Sequence, residues 1–552
     1  MAENEITVER DGNLITTFET QSGIPVKGVY TPEDLDSVNY DRDLGLPGEY
    51  PYTRGIYPDM YRKRLWLKSI IVCDESPRAT NQKYKKLISR GQTGLRIVGD
   101  IPTSLAIDPD HPLGTLDVAS NGCPVFALSE LDEYLNGIPL EDVDFESAFG
   151  GTHAAFNLYS MLVAVCENRG SDVSKLRGSC INDPIHSLGC HVFNNYPLEV
   201  GKRLNEDLTE FAVRYTPKWH PFVGCGYDTR EAGVNAIQEM AFIIASVIEY
   251  CDAALKRGVD FRQLGSKITF SVSSEIDFFE TIAKVRATRR IWAGIAMERY
   301  GASTKFCKCL FAIRPAGDSL TAQQPINNIS RIVIETLAGV FAGAQSLDLP
   351  GFDEPFGIPS EAAELINLDL QHIITYETGI PLAVDPLGGS YYVEWLTNTI
   401  GREIKKLLSE IKEMGGMYSA LSKGWVEEQV RKASIDRQDE IEKKKRIVVG
   451  INEFQLPKEK EFPIPLYKHD LREAREKAIT KLKRFREVRD TGGVRSALLN
   501  LLGHASDSKN LVRPAIEAFK AGATIGEVTG MIREGMGYSY DHFGAVERPS
   551  FL

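Results

Sequence analysis

The sequence predicts an α/β protein centred on a (β/α)8 TIM barrel, with an extended arm before it and helices after it. Three observations carry this. From about residue 60 to 400, short β-like runs alternate with longer helical ones, a repetition that builds a parallel sheet. The β-like runs are apolar and end in glycine or polar residues, as buried strands do where the chain turns. A stretch of this length favours closure into a barrel over an open doubly wound sheet.

Residues 1–50 are polar and punctuated by proline and glycine, as in "SGIPVKGVYTPEDL" and "GLPGEYPYTRG". They predict either an arm that wraps a neighbour or a disordered tail. Residues 51–400 form the expected barrel. "GLRIVGDIP" (94–102), "HPFVGCGYD" (220–228), "KITFSVSSE" (267–275), "CLFAIRPAG" (309–317) and "AQSLDLPG" (344–351) predict buried strands. Between them lie amphipathic helices. Over 231–250, Val234, Ile237, Ala241, Ile244 and Ile248 recur at spacings of three and four and make one apolar stripe. Residues 401–552 predict charged helices, a proline-rich linker at 456–467 and a short helical end.

Composition narrows the function classes. The 552 residues carry a net charge of -12, which disfavours a nucleic-acid surface. The basic run "EKKKR" (442–446) has acids around it and predicts a solvated helix face. The longest apolar run, "MAFIIASVI" (240–248), is too short to span a bilayer. Nine cysteines in so long a chain make no disulfide framework, and the opening "MAENEITVERDGN" lacks an apolar leader, so a reducing, cytoplasmic setting is expected.

No phosphate-binding P-loop or dinucleotide fingerprint is present, and Gly224-Cys225-Gly226 predicts a tight strand end. Cys180, His186, Cys190 and His191 lie close in sequence, but their spacing fits no standard zinc site, so no metal is expected. Cys307 and Cys309 predict buried thiols. Tyr227 and Asp228 close a strand on the face where barrels do chemistry. Pattern alone makes Asp228 a helix N-cap, with Glu231 three residues on in a loose capping box.

The motifs "SGIPVKGVYTPEDL", "GEYPYTRGIYPDMYRKRLW", "LRGSCIND", "GYDTREAG", "SLTAQQPINNISR", "AGAQSLDLPGFDE" and "DPLGGSYYVE" go further. Through them the chain resembles, over about residues 20–540, the large substrate-binding subunit of adenosylcobalamin-dependent acyl-CoA mutases, the methylmalonyl-CoA mutase family. The resemblance implies radical isomerisation of an acyl-CoA inside a barrel that excludes water. In this family cobalamin is held by a flavodoxin-like domain whose D-x-H-x-x-G histidine ligates cobalt. "DPDHPLG" (108–114) and "DHFG" (541–544) both fail that spacing. A small cobalamin-binding partner subunit that supplies the cobalt ligand is therefore expected, in a heterodimer or heterotetramer, with a G-protein chaperone as a further partner.

By the same resemblance, Tyr227 is the tyrosine beside the substrate, Gln345 and Glu354 lie near the substrate and the adenosyl ribose, and Tyr57, Met60 and Arg64 grip the CoA tail. The departures bear on specificity. Asp228 replaces a histidine that donates to the thioester carbonyl. A carboxylate only accepts, so Asp228 is either protonated by burial or bound to a donor on a different substrate. Ile71 and His191 replace the tyrosine and arginine that hold a free carboxylate, and Ile181 replaces a glutamine. Methylmalonyl-CoA is therefore rejected as substrate. The exchange at Ile71 resembles 2-hydroxyisobutyryl-CoA mutases, which place an aspartate where Val98 stands here. Around the CoA, Lys267 replaces an arginine, Ala312 a histidine, and Glu146-Ser147-Ala148 a Ser-x-Thr pattern.

The expected function is carbon-skeleton isomerisation of a branched acyl-CoA, 2-hydroxyisobutyryl-like or bulkier, with one polar group read by Asp228 or His191. The alternatives are a mutase acting on a non-CoA acid and a non-catalytic divergent subunit.

Overall fold

The computed structural model describes residues 8–10, 13–15 and 18–552, apart from 148–150, 190–195 and 469. Eight parallel strands follow one another round a barrel: β1 (Leu67–Ile70), β2 (Gly94–Ile97), β3 (Asp144–Ser147), β4 (Arg177–Cys180), β5 in two pieces (Trp219–His220 and Gly224–Cys225), β6 (Thr269–Ser274), β7 (Leu310–Pro315) and β8 (Ser346–Leu349). One ladder runs from β2 to the first piece of β5. The other runs from the second piece of β5 through β8 to β1, with Ser346 opposite Leu67. Between β1 and β2 the Thr93 N–H donates to the Lys68 carbonyl at 3.0 Å.

The five predicted strands all contain an observed one. β1, β3 and β4 have no counterpart among them, because polar residues ("LKSI", "DFES", "RGSC") interrupt or replace the apolar run.

Each strand is followed by an outer helix: α1 (Pro77–Ser89), α2 (Leu128–Tyr134), α3 (Gly151–Asn168), α4 (Leu198–Tyr215), α5 (Ala236–Lys256), α6 (Phe278–Tyr300), α7 (Asn327–Phe341) and α8 (Glu361–Tyr376). α5 starts later than the predicted 231. Asn235 caps it, accepting from the Ile237 and Gln238 N–H groups at 3.1 and 3.0 Å, while Gln238 answers in a capping box. The predicted stripe holds: Val234, Ala241 and Ile244 are buried, and Ile237 and Ile248 pack partly against them. α6 stops at Gly301, whose left-handed φ of 61° suits glycine.

Beyond the barrel come α9 (Tyr391–Glu413), α10 (Trp425–Glu442), α11 (Leu471–Val488), α12 (Thr491–Ser506), α13 (Val512–Ala521) and α14 (Ile525–Gly535). The expected boundary at residue 400 falls inside α9, and no separate core begins there. Val393, Leu396 and Ile404 share one apolar cluster with Phe270 of β6 and Phe311 of β7. Leu498, Ile516 and Ile532 share the other with Leu95 of β2 and Phe145 of β3. Both ends of the chain thus help to close the barrel's cores.

The arm folds back from Thr20 onward. The backbone N–H groups of Gln21 and Ser22 donate to Asp277 and Glu280 at the start of α6, each at 3.0 Å. Tyr30 packs on Tyr392 and Trp395. The eight described cysteines are all buried and free; Cys190 lies outside the described residues. Among the described residues no helix is long and apolar enough to cross a membrane.

Candidate active site

A cavity opens at the amino-terminal end of the barrel, with about 890 Å³ of unfilled space, part of it open to solvent. Tyr57, Met60, Arg64 and Gln345 all line it, so four of the expected residues meet in one place. The segment carrying the first three lies across the mouth, pinned by the Tyr61 hydroxyl donating to the Ala344 carbonyl at 2.8 Å. Lys267 stands beside it. Its carbonyl is 2.8 Å from Nδ1 of the cavity-lining His220, and burial lowers its ammonium pKa. Lys308, which the motifs did not single out, lies over the rings of Tyr52 and Tyr57 at 5.4 and 5.8 Å. The mouth of a net acidic chain is thus cationic, and suited to phosphates.

Gln345 sits deeper into this mouth than the resemblance implies. It precedes β8, whereas Glu354 follows it. Its amide is used by the backbone: Oε1 accepts from the Phe311 N–H and Nε2 donates to the Gly343 carbonyl, both at 2.8 Å. It lines the tail end of the tube and stands apart from Tyr227.

Further along the tube, four charged side chains from four strands form a belt. Arg96 of β2 pairs with Glu146 of β3 at 2.9 Å and with Asp348 of β8 at 2.7 Å; Asp348 pairs in turn with Arg314 of β7 at 2.9 Å. Burial raises the Glu146 carboxyl pKa even against the pull of Arg96. Burial works against the ionisation of Arg314, but Asp348, Tyr227, Glu146 and Asp228 together outweigh it and raise its pKa. Arg96 Nη1, Glu146 Oε1 and Asp348 Oδ1 remain buried without a hydrogen-bond partner, so the belt has polar capacity to spare. A sequence signal existed: charged residues stand inside runs otherwise apolar enough to be buried strands ("LRI", "AIRP", "SLDL").

At the carboxyl-terminal end, Tyr227 and Asp228 lie in a short helix, Tyr227–Glu231, whose N-cap is Gly226. The capping expectation is overturned. Asp228 is inside the first turn, and Glu231 accepts from the Gly317 N–H at 2.9 Å. The Tyr227 hydroxyl accepts from the same N–H at 3.2 Å and donates to the Pro315 carbonyl at 3.4 Å. The Arg314 guanidinium lies over its ring, 4.6 Å from the centroid.

Asp228 Oδ2 is 2.5 Å from His186 Nε2. Burial pushes the Asp228 carboxyl up, but the His186 charge and hydrogen bond together with Arg314 bring it below the ordinary value. This balance favours an Asp228 that accepts from His186, in line with the second of the two expected readings. Asp183 accepts from the backbone N–H groups of His186 at 2.9 Å and Cys225 at 3.0 Å, tying the segment that carries His186 to the end of β5. The side chain of His186 is 3% exposed and that of Asp228 31%.

The sequence cluster Cys180, His186, Cys190 and His191 does not form as one site. Cys180 donates to the Pro221 carbonyl, and Cys190 and His191 lie outside the described residues. The structure instead gathers His186, Cys225 and Asp228, with ligand atoms within 4.8 Å of one another. Tetrahedral ligands bound at about 2.1 Å stand roughly 3.3 Å apart. The 2.5 Å His186–Asp228 separation is that of a hydrogen bond, not of a pair of metal ligands.

The expected apolar wall is divided. Ile181 packs with Cys225 and Tyr227. Ile71 and Val98 pack with Cys73 and Ile358. Tyr467, from the proline-rich linker, covers this second patch and donates to Asp74 at 2.5 Å. Ala148 and His191 lie outside the described residues. Glu354 meets Glu231 and Tyr227 round Gly317, where a Cβ would come within 3.1 to 3.2 Å of all three. Burial pushes the Glu354 carboxyl up to about 7, with Arg314 opposing it.

With this geometry in view, the comparisons with known proteins are specific. The family description for methylmalonyl-CoA mutase matches residues 19–538. The 2-hydroxyisobutanoyl-CoA mutase large subunit of Aquincola tertiaricarbonis is 34% identical over 513 residues, covering 93% of this chain and 90% of that protein. The probable mitochondrial methylmalonyl-CoA mutase of Caenorhabditis elegans is 33% identical over 533 residues, covering 96% and 70%. The mitochondrial methylmalonyl-CoA mutase of Homo sapiens is 32% identical over 539 residues, covering 97% and 70%.

Proposed function

This chain belongs to the methylmalonyl-CoA mutase family, and from that premise we propose that it is the large subunit of a two-component mutase isomerising a neutral, branched acyl-CoA that carries a hydrogen-bond donor. A 2-hydroxyisobutanoyl-like or bulkier hydroxyacyl group fits best. The observation that carries this is Asp228. It is an acceptor beside Tyr227 and Cys225, with one oxygen held by His186 and its carboxyl pKa brought below the ordinary value. Such a group stabilises a hydroxyl or amine and repels a carboxylate.

The belt adds to the argument. Its two arginines are matched by Glu146 and Asp348, so a free malonyl carboxylate would add a negative charge with no cation left to match it. The cationic mouth of Arg64, Lys267 and Lys308 supports a CoA tail entering from the amino-terminal end.

The carboxyl end suits an adenosyl group. The acceptors of Glu354, Glu231 and Tyr227 converge round Gly317 and match ribose hydroxyls. Adenosylcobalamin, bound to a partner subunit, would supply the carbon radical that starts the isomerisation. The residues of this chain do the rest: the mouth fixes the tail, Asp228 aligns the acyl group, Tyr227 shields one face, and the closed barrel keeps water away. Support for two components comes from the 90% coverage of a relative named a large subunit.

The test is turnover by the full chain with its cognate cobalamin-binding subunit and adenosylcobalamin. 2-Hydroxyisobutanoyl-CoA should react and methylmalonyl-CoA should not. Asp228→Asn should lower kcat/KM for the hydroxyacyl substrate by roughly 10- to 100-fold, the worth of one charged hydrogen bond. Turnover of methylmalonyl-CoA, or an unchanged Asp228→Asn enzyme, would overturn the reading.

A further inference from the structure

If the carboxylate at 228 reads the hydroxyl, another group must hold the thioester carbonyl, which needs a donor. Among the described residues the candidates near Tyr227 are few. Asp228 only accepts. His186 Nε2 is committed to Asp228. The Tyr227 hydroxyl is used between Gly317 and Pro315. The Arg314 guanidinium lies where the belt meets the carboxyl-terminal end of the tube. It is stacked on the Tyr227 ring at 4.6 Å and anchored to Asp348 at 2.9 Å. Stacking and ion pairing fix its plane in advance, so little entropy is lost when a ligand oxygen meets its edge.

We propose that Arg314 binds the thioester carbonyl oxygen and, with Asp228, reads the acyl group as an acceptor–donor pair. This rests on the acyl-CoA reading above and names how the same site recognises its substrate. Arg314 lies over the Tyr227 ring and Asp228 follows Tyr227 in the same short helix, close enough for the Arg314 charge to act on it, one offering N–H groups and the other oxygens. A hydroxyacyl thioester presents the complement: a carbonyl that accepts and, on the next carbon, a hydroxyl that donates. Asp348 and Arg96 hold Arg314 in place from below and act as positioning residues. A fixed cation over the carbonyl also steadies negative charge that builds on that oxygen while the acyl group migrates.

The test needs no turnover. Binding of two probes to the full chain is measured by calorimetry: 2-hydroxyisobutanoyl-CoA, and the thioether in which a CH2 replaces its carbonyl. Both keep the CoA tail and the hydroxyl. Wild type should prefer the thioester by roughly 10- to 100-fold. Arg314→Met should bind both equally. Arg314→Lys keeps the ion pair with Asp348 and should retain part of the preference. Because the readout is a ratio within one protein, partial unfolding of a variant lowers both affinities and leaves the ratio intact. An undiminished preference in Arg314→Met overturns the proposal. Equal binding of both probes by wild type overturns it while leaving the acyl-CoA reading standing. Failure of wild type to bind either probe overturns the acyl-CoA reading, and this proposal with it.

Discussion

Burial alone would push the Asp228 carboxyl toward its protonated form. The ring of His186 reverses that, and so decides what residue 228 can recognise. Glu354 shows the opposite balance, with burial dominant and a carboxyl near 7. Its folded pKa lies above the ordinary glutamate value, so the folded state binds the extra proton between about pH 4.5 and 7. The stability this contributes is fully present below about 4.5 and lost as pH rises through 7. Glu354→Gln should therefore melt with wild type at pH 5 and above it at pH 8, by up to about 3 kcal/mol. Parallel melting curves at both pH values would exclude this account of Glu354. Tyr227 stood out in the sequence because it closes a strand, and Glu354 because its motif resembles the family's. The partnership of Asp228 with His186 did not, since the two lie 42 residues apart and only the barrel's curvature brings them together.

Strands that carry charge inward explain both what the fold shows and what the sequence hid. β2 and β5 to β8 were legible because enough apolar residues surround the polar ones. β1, β3 and β4 were not: polar residues make up much of β3 and β4, and in β1 Lys68 and Ser69 split an apolar run in two. The same inward charges make the belt. It has little hydrophobic contribution to offer, and its stability depends on every member staying paired. Arg96→Met would leave Glu146 without its cation, while Asp348 keeps only Arg314. The expected loss is about 3 kcal/mol, read as a lower urea midpoint. Adding Glu146→Gln should recover a good part of it, because the stranded charge is then removed. A double variant no more stable than the single one would show that the belt does not hold together by pairing.

The whole chain is knit by its ends. The arm from Thr20 lies on α6, and helices α11 to α14 complete the core over β2 and β3. The break expected near residue 400 was an inference from composition. Charged surfaces on α9 and α10 look like a new domain in sequence, yet their apolar sides belong to the barrel. The two cores also divide the thiols. Cys123, Cys166 and Cys180 sit in one cluster, and Cys251, Cys307 and Cys309 in the other. With no described thiol at the surface, an alkylating reagent finds its targets only when the fold opens. Mass spectrometry of peptides taken at intervals then works as a pair of stopwatches, one per core. If the closed ring of strands ties both cores into one cooperative unit, the two sets should alkylate at the same rate. A set that reacts well ahead of the other would mean that one half of the ring can loosen while the other stays shut.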